Sequence, residues 1–219
     1  MKFVRTLKTD MNNEIQCIIS GKSQVRYGAN IQAALCYLTG SQKAGSLDKT
    51  DKHFKHEETK KLREYIESQN LWVKDIDLNN YVSEGAEQKV YLKDSRTVLK
   101  LNDAIYYLSW IDYFINLLLN NYFFPDTAYN LLGFFEHETV VYAVVEQSFV
   151  SATEKTDLHH VKQFMNSNGF LKIKNNDYFN PQLGIILEDL HDENVLTSNG
   201  ILYFIDTVFY LKQPYAAPR

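Results

Sequence analysis

The stretch that most restricts the fold is KVYLKDSRTVLKL, residues 89–101, two β-rich runs joined by the polar segment Lys93 to Arg96. That is the pattern of an antiparallel hairpin. It is followed at once by NDAIYYLSWIDYFINLLLNNYF, in which Ile105, Leu108, Ile111, Ile115, Leu118 and Leu119 form a wide apolar stripe at helical spacing. Pro125 closes this long helix. Two further β-rich runs, YNLLGFF and TVVYAVVEQSFV, flank an acidic turn at Glu136 to Glu138. A hairpin, one long helix and two more strands predict an α+β domain built on a mostly antiparallel sheet.

The flanks are read more coarsely. A short strand is expected at Ile15 to Ile19 and a helix near Asn30 to Leu38, ending at Gly40. The polar, lysine-rich run 41–56 reads as a linker, and Leu62, Tyr65 and Ile66 mark a helix after it. Downstream, a helix is expected at Asp157 to Asn166 with Thr156 as its cap and Gly169 just beyond its end. Short strands follow at Gly184 to Leu187, Val195 to Leu196 and Ile201 to Ile205, with Ser-Asn-Gly as the last hairpin turn.

A net charge of -4 gives no electrostatic reason to expect nucleic acid or an anionic membrane as partner. The apolar stretch around 104–124 is broken by Asn and Asp, and no apolar run follows the first residues, so neither membrane spanning nor secretion is expected. Cys17 and Cys36 lack metal-ligand spacing and read as reduced thiols of a cytoplasmic protein.

Chemistry concentrates in LEDLHDENVL, residues 187–196, where repulsion among so many acids calls for a cation, most simply a metal ion. Asp189 and Asn194 stand five positions apart, and Asp206 ends the apolar run YFID twelve residues after Asn194. Lys100 is the one charge in TVLKL. Either it lies at an exposed edge or it is buried with an anion such as a nucleotide phosphate.

This order of elements, with these residues at these spacings, resembles the protein kinase-like fold. Asp189 and Asn194 match the kinase loop H-R-D-x-x-x-x-N, the local D-L-H-x-x-N is similar to the loop of aminoglycoside phosphotransferases, Asp206 stands where the D-F-G aspartate would, and TVLKL matches the strand V-A-I-K. The phrases EGAEQKVYL, NYFFPDTAYNLLGFF and LGIILEDLHDENVL look like the short kinase-like proteins of bacterial mobile elements and polyvalent phage proteins, a likeness covering roughly residues 70 to 210.

The resemblance implies a two-lobed kinase-like fold with a truncated C-terminal lobe: an extension over 1–70, an N-terminal lobe over 71–150 and a short C-terminal lobe over 151–219. It implies ATP and Mg2+, with Lys100 on the phosphates, Asn194 and Asp206 on the metal, and Asp189 orienting or deprotonating the acceptor hydroxyl. Gly85 is the one glycine of the three in a phosphate loop, with Ser83 and Gln88 at the other two positions, and Glu146 and Ser148 fall in the segment that would read the adenine edge. His191 is expected to be a structural prop, Asp192 and Glu193 solvated acids, and His159 and His160 surface residues.

The chain departs from the kinase pattern at several positions. Residues 101–124 contain no Glu to pair with Lys100, leaving Asp112 as the best substitute and Asp103 as a helix cap. Leu187-Glu188 replaces the His-Arg of the kinase loop, Asp206-Thr207-Val208 replaces D-F-G, and thirteen residues follow Asp206. The acceptor platform is therefore expected from the N-terminal hundred residues or from a partner protein. The expected function is ATP- and Mg-dependent phosphoryl transfer to a hydroxyl of a protein or small molecule. The alternatives are an inactive nucleotide-binding or interaction module, and nucleotidyl transfer with ATP bound in reverse.

Overall fold

A computed structural model of the protein describes residues 2–40, 51–74, 76, 77, 79–84 and 88–212. Gly85 and residues 41–50 of the expected linker lie outside them. Among the described residues the fold is α+β, with five α-helices and antiparallel sheets.

Three helices open the chain, α1 (Lys2–Ile19), α2 (Ala29–Gly40) and α3 (Asp51–Ser68). The strand expected at Ile15 to Ile19 is instead the last turn of α1. Its β-branched residues favour strands locally, but Ile15 is buried in a core with Leu119 and Phe124 while Ile18 and Ile19, partly buried, pack alongside, so helical spacing turns all three inward. Residues 51–56, expected as linker, are the first turns of α3. There Lys55 is tied down, its Nζ donating to the carbonyl oxygens of Ala104 and Tyr107.

The strands β1 (Tyr81–Glu84), β2 (Lys89–Asp94), β3 (Thr97–Asn102), β4 (Asn130–His137) and β5 (Val140–Ser148) form one sheet in the order β1-β2-β3-β5-β4. Helix α4 (Trp110–Phe123) lies between β3 and β4 in sequence. Its start corrects the expected stripe, because Ile105 and Leu108 precede it and are 66% and 73% exposed. The backbone turns away first: Asn102 and Asp103 accept from the amides two residues on, and Ala104 adopts φ +57. Ser109, not Asp103, is the cap, accepting from the Asp112 amide.

Phe114 and Leu118 of α4, Leu35 of α2, Ile66 of α3 and Phe134 and Val145 of the sheet share one core. Residues 71–73 run along β4, with Val73 N donating to Phe134 O at 2.8 Å and Phe134 N to Leu71 O at 2.9 Å. Gly133 permits that approach, since a Cβ there would collide with the Leu71 carbonyl oxygen.

The remaining elements are α5 (Leu158–Ser167), β6 (Leu171–Lys174), β7 (Asp177–Asn180), β8 (Ile185–Glu188), β9 (Val195–Ser198), β10 (Ile201–Phe204) and β11 (Val208–Leu211). Asp157 caps α5 by accepting from His159 N, whereas the expected cap, Thr156, is buried with its hydroxyl 2.9 Å from that of Thr197. Strands β6, β7, β8 and β11 make a second sheet in the order β11-β8-β7-β6, and β9 and β10 form a hairpin turned by Asn199 and Gly200, both at positive φ. Tyr178, Ile185, Leu187, Val195, Phe204 and Phe209 bury a second core here. No helix among the described residues is long and apolar enough to cross a membrane.

Candidate active site

Lys100 lies on β3 opposite Val145 of β5, on the core-facing side of the sheet, and is 4% exposed. Its Nζ donates to the carbonyl oxygen of Ile205 at 2.8 Å and sits 5.4 Å from the Tyr129 ring centroid. The Tyr129 hydroxyl donates to the same carbonyl at 2.9 Å. Burial lowers the Lys100 pKa, and the adjacent Asp206 carboxylate opposes that shift. Of the two readings of Lys100 as a residue, the buried one holds. Asp112, the expected acidic partner, instead accepts from the Ser109 hydroxyl at 2.7 Å. The acid that acts on Lys100 is Asp206.

The β9–β10 hairpin brings the two candidate metal ligands together. Its ladder continues past Val195 and Phe204, with Ile205 N donating to Asn194 O at 2.9 Å. Asn194 and Asp206 thus flank the mouth of one hairpin. The Asn194 side-chain nitrogen donates to Asp189 Oδ2 at 2.9 Å and to Asp189 O at 3.0 Å. Its amide oxygen is the atom left to meet a cation.

Asp189 follows β8 in a left-handed conformation, φ +67, and its amide donates to Asp177 Oδ1 at 3.2 Å. Its carboxylate is exposed and meets His191 Nε2 at 3.2 Å, while His191 Nδ1 accepts from Glu193 N and His191 O accepts from the amides of Asn194 and Val195. Burial together with the neighbouring Asp177 and Asp189 raises the pKa of Glu188.

An unforeseen residue completes the cluster. Gln88, just before β2, donates from Nε2 to Asp206 Oδ2 at 2.5 Å. Its position in a poor glycine-loop match hides it, because nothing local distinguishes a glutamine that reaches across 118 residues from a surface one.

Helix α4 fixes the loop after the hairpin through buried asparagines. Asn120 Oδ1 accepts from the Thr207 hydroxyl at 3.2 Å, and Asn116 Oδ1 accepts from Phe209 N at 2.8 Å. These are among the polar residues that interrupt the apolar stretch in the sequence. Buried polar groups need partners, and here the partners are the residues next to Asp206.

The other expected residues stand apart. Glu146 lies opposite Leu99, so its side chain projects from the sheet face opposite to Lys100. There it accepts from Lys93 at 2.8 Å and Asn130 at 2.9 Å. Burial raises its pKa, but these hydrogen bonds outweigh that and hold it below the usual carboxylate value. Ser148 ends β5 opposite Thr97. A groove of about 760 Å³ lies between α5 and the β9–β10 hairpin, lined by Phe124, Asp157, Phe164 and Phe204 among others. None of Lys100, Asp189, Asn194 or Asp206 lines it.

The structure thus brings a buried lysine on a sheet strand to a hairpin whose mouth carries Asn194 and Asp206, with the loop residue Asp189 hydrogen-bonded to that Asn. The profile described as Serine/Threonine/Tyrosine Kinase found in polyvalent proteins matches residues 55–213, and the chain belongs to that family. No curated protein and no solved structure matches the chain.

Proposed function

We propose that the protein is an ATP- and Mg-dependent phosphotransferase acting on a hydroxyl, with residues 71–150 and 151–219 as the two lobes of a kinase-like fold and the second lobe shortened. Residues 1–70 are an extension preceding them. The observation that carries this reading is the continuous chain of contacts from Asp189 through Asn194 and Ile205 to Lys100, with Asp206 beside that lysine. Cys17 and Cys36, both free thiols, support a cytoplasmic setting.

Asn194 Oδ1 and Asp206 offer two oxygen ligands, the small hard set that suits magnesium completed by phosphate oxygens and water. The ion would supply charge neutralisation between the transferring and leaving phosphates. Lys100, held by Ile205, uses one of three donors there and offers the others to phosphate oxygens. The acceptor hydroxyl, aligned on the exposed Asp189 carboxylate, attacks the γ-phosphorus as the bond from phosphorus to the bridging β–γ oxygen breaks. Its proton passes to Asp189, and ADP leaves with the bridging electron pair. Positioning and electrostatics supply the rate.

A second reading, a nucleotide-binding module without transfer, is favoured by one contact. The Gln88 amide occupies an oxygen of Asp206 that a metal would use. Incubation with magnesium and ATP labelled at the γ or α position separates the readings. Transfer of γ label is expected, α label would indicate nucleotidyl transfer, and thermal stabilisation by ATP without transfer would establish the binding module. Asp206→Asn is expected to remove magnesium-dependent stabilisation by ATP, and Asp189→Asn to stop transfer while sparing binding.

A further inference from the structure

The sheet β11-β8-β7-β6 buries one face and leaves most of the other open, Val208, opposite Glu188, being the residue of that face packed into the first core. Tyr178, Leu187 and Phe209, aligned across three strands, form a buried row. On the opposite face the register aligns Leu171, Phe179, Ile186 and Tyr210 across all four strands. Leu171 is 55% and Tyr210 43% exposed, and the two central residues are partly exposed. An apolar row spanning a whole sheet in this way is a surface made for contact.

Two residues along the strands on the same face stand Asp177 and Glu188. Asp177 Oδ1 accepts from the Asp189 amide, so this acidic pair adjoins the group expected to orient the acceptor. Lys174, opposite Asp177, is the cation that acts on Glu188, against three carboxylates from residues 177, 188 and 189. Lys212, its Nζ 4.5 Å from the Phe179 ring centroid, is a second cation on this face, so two cations stand against three carboxylates and one more is accommodated.

We propose that this open sheet face is the acceptor platform, and that its occupant is an extended protein segment carrying a hydroxyl residue, a Lys or Arg next to it, and a bulky apolar residue two positions beyond that cation. The cation meets Asp177 and Glu188, the apolar side chain lies on the Phe179–Ile186 row, and the hydroxyl reaches Asp189. The spacing of cation and apolar residue follows from the pleat, since same-face rows are about 7 Å apart along a strand and an extended segment repeats the same distance every two residues, and the hydroxyl residue next to the cation lies level with Asp189, the residue next to Glu188. The proposal rests on the reading of Asp189 given above. A second copy of this chain is disfavoured as occupant, because a two-fold contact on this face brings acids toward acids.

The test uses the full chain and fluorescein-labelled peptides of sequence Gly-Ala-Ser-Arg-Ala-Phe-Ala-Gly, with controls carrying Glu for Arg or Ser for Phe. Anisotropy without nucleotide reads docking, and incorporation of γ-labelled phosphate reads transfer. The parent peptide is expected to bind up to about fivefold tighter than either control, the effect of one good cross-strand pair. Tyr210→Ser is expected to erase the preference for Phe, and Glu188→Lys to reverse the preference between Arg and Glu, with far-UV circular dichroism unchanged in both. Equal binding of the three peptides, or a Glu188→Lys variant that still prefers Arg, would overturn the proposal, as would an inert peptide together with a dimer that Tyr210→Ser dissociates. Ordered binding without phosphate incorporation would uphold the docking face and count against the transfer reading alone.

Discussion

The side-chain amide of Gln88 donates to the carboxylate of Asp206 at 2.5 Å, joining the start of β2 to the mouth of the β9–β10 hairpin. A metal taking that oxygen must displace the amide, and a hydrogen bond to a charged group contributes about 1.5–3 kcal/mol. Gln88→Ala is therefore expected to strengthen magnesium binding in the presence of ATP by about tenfold. Magnesium titration followed by thermal shift measures it, and an unchanged or weaker response would show that Gln88 does not compete.

Lys100→Met is expected to separate stability from nucleotide binding. Replacing a buried charge by an apolar side chain of similar length is often neutral or stabilising, and the Ile205 carbonyl keeps the Tyr129 hydroxyl as donor. The Tm without ligand should hold or rise, while stabilisation by ATP should disappear. A large fall in Tm would mean that the lysine is structural.

Asn120→Ala should act on the site from a distance. It strips the Thr207 hydroxyl of its acceptor and the Thr127 carbonyl of one donor, both buried. The expected loss is about 2 kcal/mol, a fall of roughly 5 °C in Tm. Because Thr207 adjoins Asp206, magnesium-dependent stabilisation by ATP should weaken as well, and a variant that loses stability with no change in that response would refute the link.

Glu58 sets a pH dependence. This buried acid of α3 accepts from Trp110 N at 2.5 Å, and burial pushes its pKa from 4.5 up to about 7, with Asp112 adding to the rise while hydrogen bonds from Trp110 and Ile111 and the nearby Lys55 oppose it. An acid whose pKa is raised by folding favours the folded state while protonated. Its contribution is complete below about pH 4.5 and is lost as pH rises through 7, a change of about 3 kcal/mol. Glu58→Gln should flatten the fall in Tm between pH 5 and pH 8 in scanning calorimetry, and an equal slope in the variant would sink the assignment.

Legibility in the sequence followed the range of the forces involved. The β2–β3 hairpin, α2 and the Asn199-Gly200 turn rest on local patterns and stand where those patterns put them. Asn194 and Asp206 stand out in the sequence because the distance between them is that of a hairpin whose length is set by its own ladder. Helix α1 was misread because the preference of Ile15, Ile18 and Ile19 for strands yields to packing against distant residues. The start of α4 was set too early because the exposed Ile105 and Leu108 continue the apolar stripe in number but not in space. Strands β6 and β7 are only four residues each, too short for a pattern to announce them, and the alternation of Leu171-Lys172-Ile173-Lys174 in β6 marks no buried face because that strand is exposed throughout. Gln88 is the extreme case, since its role exists only once two remote segments have met.

The seam between residues 71–73 and β4 has a consequence for any attempt to trim the chain. Those residues supply hydrogen-bonding partners to Phe134, and the helices before them lay Leu35, Leu62 and Ile66 against the same aromatic side chain's core. Cutting at residue 74 would leave a greasy trough and a raw sheet border, both templates for clumping. The opening helices and the segment after them thus serve the sheet as a fitted cover, sealing one face and one edge from other chains.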